Sequence, residues 1–158
     1  MTTQWIRASM LSLLAVALTS CSGSTPGPSP VLSLDMNGTW SGVVGAGSGG
    51  GNALRVTWTA SQTGNSLSGP LTLLTSRAVT GITFAGTLTG SLSGSQFALT
   101  YSARAEGAAG STGCTASGSG STTADSSMIS GPIIVSFVSC EGLGLQPPAR
   151  NELTLTKP

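Results

Sequence analysis

The 158-residue sequence contains no histidine, three cysteines and one tyrosine, and only 7% of its residues are charged and 4% aromatic. Without histidine it lacks the commonest acid/base group near neutral pH and the commonest metal ligand, so metal chemistry is not expected. Six basic side chains against five acidic ones form no cluster. Nothing is set out to neutralise phosphates, and nucleic acid is not an expected partner. Hydroxyl nucleophiles abound, but the one lysine, Lys157, stands next to the last position, and no base is placed to activate them. The acids Asp35, Glu106, Asp125, Glu141 and Glu152 fall in a tether, in turns or near strand ends, where solvated charges belong, and form no facing pair. A non-enzymatic protein without cofactor or metal is expected. What the sequence does have is glycine, serine and threonine at 70 of 158 positions, with 39% apolar residues, enough for the modest core of one small domain.

Residues 1–20 carry Arg7 and then a nine-residue apolar run at 10–18. A membrane-spanning helix needs roughly 18 or more apolar residues, whereas roughly 7 to 15 form the centre of an export signal. This is therefore a targeting segment. Leu18-Thr19-Ser20-Cys21 resembles the bacterial lipobox, in which small residues admit the peptidase and the Cys thiol takes the diacylglycerol. That resemblance implies lipid attachment at Cys21 and a membrane partner through the acyl chains. Residues 21–36 follow as a tether, with Pro26, Pro28 and Pro30 among Gly and Ser that form neither helix nor strand. Ser22 after the Cys implies, by the enterobacterial sorting rule, a bacterial envelope protein anchored to the outer membrane and facing the periplasm. Beyond residue 20 the chain has five basic and five acidic groups, so no long-range field steers a charged partner.

With Cys21 acylated, Cys114 and Cys140 remain, an even pair in an oxidising compartment, and a disulfide is expected. They lack Cys-x-x-Cys spacing and any neighbouring base. On the chain-entropy account, a loop of about 25 residues is worth roughly 3.5 kcal/mol. If the two face each other on antiparallel strands, the hairpin centres on residue 127, within the turn-forming Asp125-Ser126-Ser127.

From Asn37 onward apolar residues recur with period two between Gly- or Asn-rich breaks, and no helical stripe occurs. Leu54, Val56, Trp58 and Ala60 alternate with Arg55, Thr57 and Thr59. The pattern predicts an all-β domain over 37–158 with strands at 39–45, 53–61, 66–75, 80–90, 96–104, 112–121, 128–139 and 151–157. Breaks are read at Gly45 to Asn52, Gln62 to Asn65 and Gly90 to Ser95. Short breaks make consecutive strands antiparallel neighbours, and closure removes exposed edges. An antiparallel up-and-down eight-stranded β-barrel is expected, with a β-sandwich as the alternative.

Asn37-Gly38-Thr39-Trp40, opening the first strand, resembles the Gly-x-Trp signature of the calycin group of lipocalins, avidins and bacterial inhibitor-like barrels. Ser68-Gly69 and Gly86-Thr87 resemble the Gly-centred turns of bacterial lipocalin-like lipoproteins. The likeness implies that Trp40 caps one barrel end with a cation stacked on it, Arg150 being the matching residue. It names no ligand, since one Tyr and few Trp do not supply an avidin-type biotin site. A transmembrane barrel is not expected, because its aromatic girdles would need more than Trp40, Trp58 and Tyr101.

Two roles remain. Eight-stranded barrels either pack solid or hold one small ligand. Residues 115–121 of the sixth strand have no large side chain on either face, so one wall is thin. A cavity there would be lined by Trp58, Phe84, Phe97, Tyr101 and Phe137 and would take a small apolar ligand. Alternatively, large residues opposite fill the gap, and the protein serves a structural or protein-interaction role, as inhibitor or accessory to an envelope protein.

Overall fold

The computed structural model describes residues 34–46, 53–75, 81–107, 113–140, 143, 145 and 151–158. The targeting segment, Cys21, the tether up to residue 33, Glu141 and Arg150 lie outside them. Eight strands follow in order: β1 (Gly38–Ala46), β2 (Leu54–Thr63), β3 (Ser66–Thr75), β4 (Thr83–Ser93), β5 (Gln96–Glu106), β6 (Thr115–Ala124), β7 (Met128–Val138) and β8 (Asn151–Thr156). Each pairs antiparallel with the next, and β8 pairs with β1 from Ser41↔Thr156 to Ala46↔Asn151. The domain is a closed up-and-down barrel, not a sandwich.

The period-two pattern decides which side of each strand is dry. Along β2 Leu54, Val56, Trp58 and Ala60 are buried while Arg55, Thr57 and Thr59 are exposed, and along β5 Phe97, Leu99, Tyr101 and Ala103 are buried between exposed neighbours. Apolar residues fill the inside and hydroxyls cover the outside, the reverse of a lipid-embedded barrel with its apolar outer band. One row of opposed residues runs Trp40, Trp58, Leu71, Gly86, Ala103, Ala116, Phe137. It starts near the beginning of β1 and arrives near the end of β7, at the opposite end of the barrel. The strands are therefore steeply tilted, as closure requires.

The two ends differ. At one end the connections are tight. Gly64-Asn65 joins β2 to β3 and Gly94-Ser95 joins β4 to β5, each with positive φ at the glycine alone (58° and 61°), the geometry of a type II′ hairpin. The break expected at Gly90 to Ser95 is accordingly shorter: β4 continues through Gly90, whose inward position lies under Phe97. The β6–β7 turn falls at Asp125-Ser126-Ser127, where the Asp125 carboxylate accepts from Ser127 N (2.7 Å), Ser127 Oγ (2.8 Å) and Met128 N (2.7 Å). The longer connections β1–β2, β3–β4, β5–β6 and β7–β8 all lie at the other end.

The Cys114–Cys140 disulfide joins the approach to β6 to the exit of β7 at that second end, with Cα atoms 4.7 Å apart. The register differs by one residue from the expected centring on 127. Thr115 pairs with Val138 and Thr123 with Ser130, so the ladder continued would set Cys114 opposite Ser139. Ser139, at φ 55°, is the one described non-glycine residue with positive φ. That turn of the backbone takes up the extra residue and brings Cys140 across to Cys114.

Packing begins before Asn37. Met36 is fully buried and Leu34 half-buried against the core, although both fall in the stretch read as tether.

The amides and hydroxyl held by Asp125 lower its pKa below the ordinary 3.8, its backbone hydrogen bond from Ser127 first. A carboxyl group whose folded pKa is depressed contributes stability that is complete above the unfolded value and is lost as pH falls through the folded one. The melting temperature of Asp125→Asn is expected to lie below wild type at neutral pH and to approach it as pH drops below about 4. A difference that stays constant down to pH 2 would show that the carboxylate charge contributes nothing.

Candidate functional site in the barrel interior

The five side chains expected to line a cavity all turn toward the interior, but they do not share one space. Trp58 and Phe97, both fully buried, stack with ring centroids 5.8 Å apart and an interplanar angle of 19°, toward the tight-turn end. Phe84 and Phe137 form a second pair, 5.9 Å apart and tilted by 42°, toward the disulfide end. Each pair is worth about 0.5 to 1.5 kcal/mol beyond its buried area. Tyr101 stands between them on β5, 7% exposed.

The thin wall of β6 exists because its neighbours lean over it. A Cβ on Gly118 would lie 2.6 Å from Tyr101 Cζ, and one on Gly120 would lie 2.6 Å from Ile133 Cγ2. Tyr101 and Ile133 thus occupy the space a side chain on β6 would take. Among the described residues, a void of about 10 Å³ lies at the barrel's centre, bordered by Val44, Val56, Leu71, Leu88, Tyr101 and Leu153 among others. That is about the room for one water molecule.

Three buried polar atoms have no hydrogen-bond partner among the described residues: Trp58 Nε1, Tyr101 Oη and Asn151 Oδ1. Leaving such a group unpaired costs about 1 to 3 kcal/mol. Desolvation alone raises the Tyr101 phenol well above its ordinary pKa, so it stays neutral and retains a proton to donate. The buried hydroxyls of Thr75 and Thr122 are satisfied. Thr75 Oγ1 accepts from Ile82 N at 3.0 Å, and Thr122 Oγ1 donates to Phe97 O at 3.1 Å.

Trp40 seals the tight-turn end. It is fully buried, and its Nε1 donates to Met36 O at 2.9 Å. Met36 N donates to Gln62 Oε1 (2.7 Å), and Gln62 N donates to Asn37 Oδ1 (2.8 Å), which straps the segment before β1 across the barrel mouth. Arg150 lies outside the described residues, but Lys157 Nζ sits 5.8 Å from the Trp40 ring centroid, a cation–π contact worth about 0.5 to 2 kcal/mol. Sequence reasoning passed over Lys157, Met36 and Gln62. The signal for Lys157 was present: it continues the inward series Leu153, Leu155 by two more residues.

The remaining acids stand apart. Asp35, Glu106, Asp125 and Glu152 are exposed on different elements, and no group of three metal-binding side chains forms among the described residues. Comparison with protein-family models, curated proteins and solved structures finds no match for this chain.

Removing the unpaired Tyr101 hydroxyl should cost nothing. Tyr101→Phe is expected to match wild type or to gain about 1 to 3 kcal/mol in urea unfolding. A loss of that size would mean that the hydroxyl has a bound partner.

Proposed function

We propose that the protein is a non-enzymatic, lipid-anchored envelope lipoprotein whose barrel is a solid structural or protein-interaction module. One observation carries the choice between module and carrier: among the described residues, the void at the centre of the core measures about 10 Å³, against roughly 300 to 1,000 Å³ for ordinary small-molecule pockets. A ligand would have to displace packed core side chains. Partners are then met by the outer wall and the connections.

The anchor rests on sequence: the apolar run at 10–18, Leu18-Thr19-Ser20-Cys21 and the Pro-rich tether. Acyl chains contribute about 0.8 kcal/mol per buried methylene, so several of them hold such a tether stably in a leaflet. Ser22 supports the periplasmic face of a bacterial outer membrane. The lipocalin-like reading draws on the barrel topology and on a cation over Trp40, which among the described residues is Lys157. Carriage of a small apolar ligand is the second reading. It is favoured by the unpaired Trp58 Nε1 and Tyr101 Oη, two buried donors available to an acceptor.

Two mass measurements test the proposal. The denatured protein from a bacterial envelope is expected at the mass of residues 21–158 plus the acyl groups, less two hydrogens for the disulfide, with the acyl mass absent from Cys21→Ser. An unacylated wild-type mass would refute the anchor. Native mass spectrometry of Cys21→Ser, after exposure to a lipid and metabolite extract, is expected to return the bare protein. A discrete extra mass lost on denaturation would restore the carrier reading.

A further inference from the structure

The side chains of β7 alternate to the end of the strand and then break the rule. Ile129, Ile133 and Val135 are buried and Phe137 packs against the core, while Ile134, Ser136 and Val138 are exposed. Continued, that alternation would turn Ser139 in and Cys140 out. The reverse is found: Ser139 is exposed, and Cys140 is buried. The exchange takes place at one residue, since Ser139 at φ 55° occupies the left-handed region, which is costly for any residue with a Cβ.

The register contains the other arrangement. Thr115↔Val138 ends the β6–β7 ladder, and the next pair in the same register would be Cys114↔Ser139, both on the inner face. Cys114 is already extended for it, because on its other side Ala105 N donates to Cys114 O at 3.0 Å, one step beyond Arg104↔Thr115. What holds the chain out of that pair is the covalent bond to Cys140. Past the bond, Leu143 N donates to Cys140 O at 2.9 Å and the Leu143 side chain packs against the core. The start of the β7–β8 connection is thus held in through Cys140.

We propose that the Cys114–Cys140 disulfide is a redox-sensitive switch that sets the direction of the chain at Ser139. A dithiol reductant supplies two electrons and two protons, which convert the S–S bond to two thiols while the dithiol closes to its own disulfide. Ser139 then returns to the extended region opposite Cys114, Cys140 turns outward, and Leu143 leaves the Cys140 carbonyl. Release of the left-handed residue and one more strand pair favour this turn. Against it stand the Leu143 hydrogen bond and the small apolar area of one thiol, at a barrel end where water replaces the lost partner. The reduced form therefore presents a thiol and a freed connection that the oxidised form hides. The inference depends neither on the anchor nor on the state of the interior.

The test takes the full-length chain with Cys21→Ser, reduces it with dithiothreitol under native conditions, and follows alkylation of each remaining cysteine by iodoacetamide with peptide mass spectrometry. Cys140 is expected to react at least about tenfold faster than Cys114, whose burial limits it to local opening, while the tryptophan fluorescence of the folded barrel is kept. Ser139→Gly removes the cost of the left-handed residue. It is expected to shift the equilibrium with dithiothreitol about fivefold toward the disulfide and to slow the alkylation of Cys140. A bond that dithiothreitol reduces only when the barrel unfolds, equal alkylation of the two thiols, or an unshifted equilibrium in Ser139→Gly would overturn the proposal.

Discussion

Pairing of β8 with β1 is the constraint on which the rest depends. Until that ladder forms, the other seven ladders hold the eight strands in an open sheet with β1 and β8 as its two edges and a broad apolar face. Once it forms, the interior volume is fixed by strand number and tilt, and every inward side chain has to fit what its neighbours leave. The six residues of β8 suffice because Leu153 and Leu155 are almost wholly buried and Lys157 reaches back over Trp40. The glycines of β4 and β6 then follow as a matter of space. Phe97 presses toward Gly90, Tyr101 toward Gly118 and Ile133 toward Gly120, and a side chain at any of the three would compete with one already placed.

That relation explains what was legible in the sequence and what was not. The alternation in β2 and β5 marks strands because large apolar residues stand at every second position. In β4 glycine takes two of the inward positions, Gly86 and Gly90, and in β6 glycine and alanine take most of them, which read as a break at Gly90 and as a thin wall at 115–121. Whether such a wall borders a cavity depends on the side chains leaning over it, and those belong to neighbouring strands. The cysteine pair located the β6–β7 hairpin but missed its register by one, because an L-residue with positive φ at Ser139 leaves no mark in a sequence pattern. Met36 escaped notice for a similar reason: a single apolar residue in a polar stretch carries no period, and its burial is a matter of the hydrogen bonds that Trp40 and Gln62 make with its backbone.

Closure also gives the molecule two unlike ends. One is sealed by Trp40, Met36 and three tight turns. The other bears the disulfide and the four longer connections. If the interior is as full throughout as it is around the central void, chemistry with the surroundings falls to the sparsely charged outer wall and to those connections. Exposed edges, the usual site of unwanted strand pairing, are removed by the β1–β8 ladder, so the wall has no need of the charges that open sheets use for protection.

The central claim is that the barrel is full, and xenon reports it most directly, since the gas enters apolar cavities without needing a hydrogen bond and scatters strongly. A crystal pressurised with xenon is expected to show no site among Val44, Leu71, Tyr101 and Leu153. Ordered xenon there, with these side chains in place, would contradict the account and mark an interior that opens to a guest.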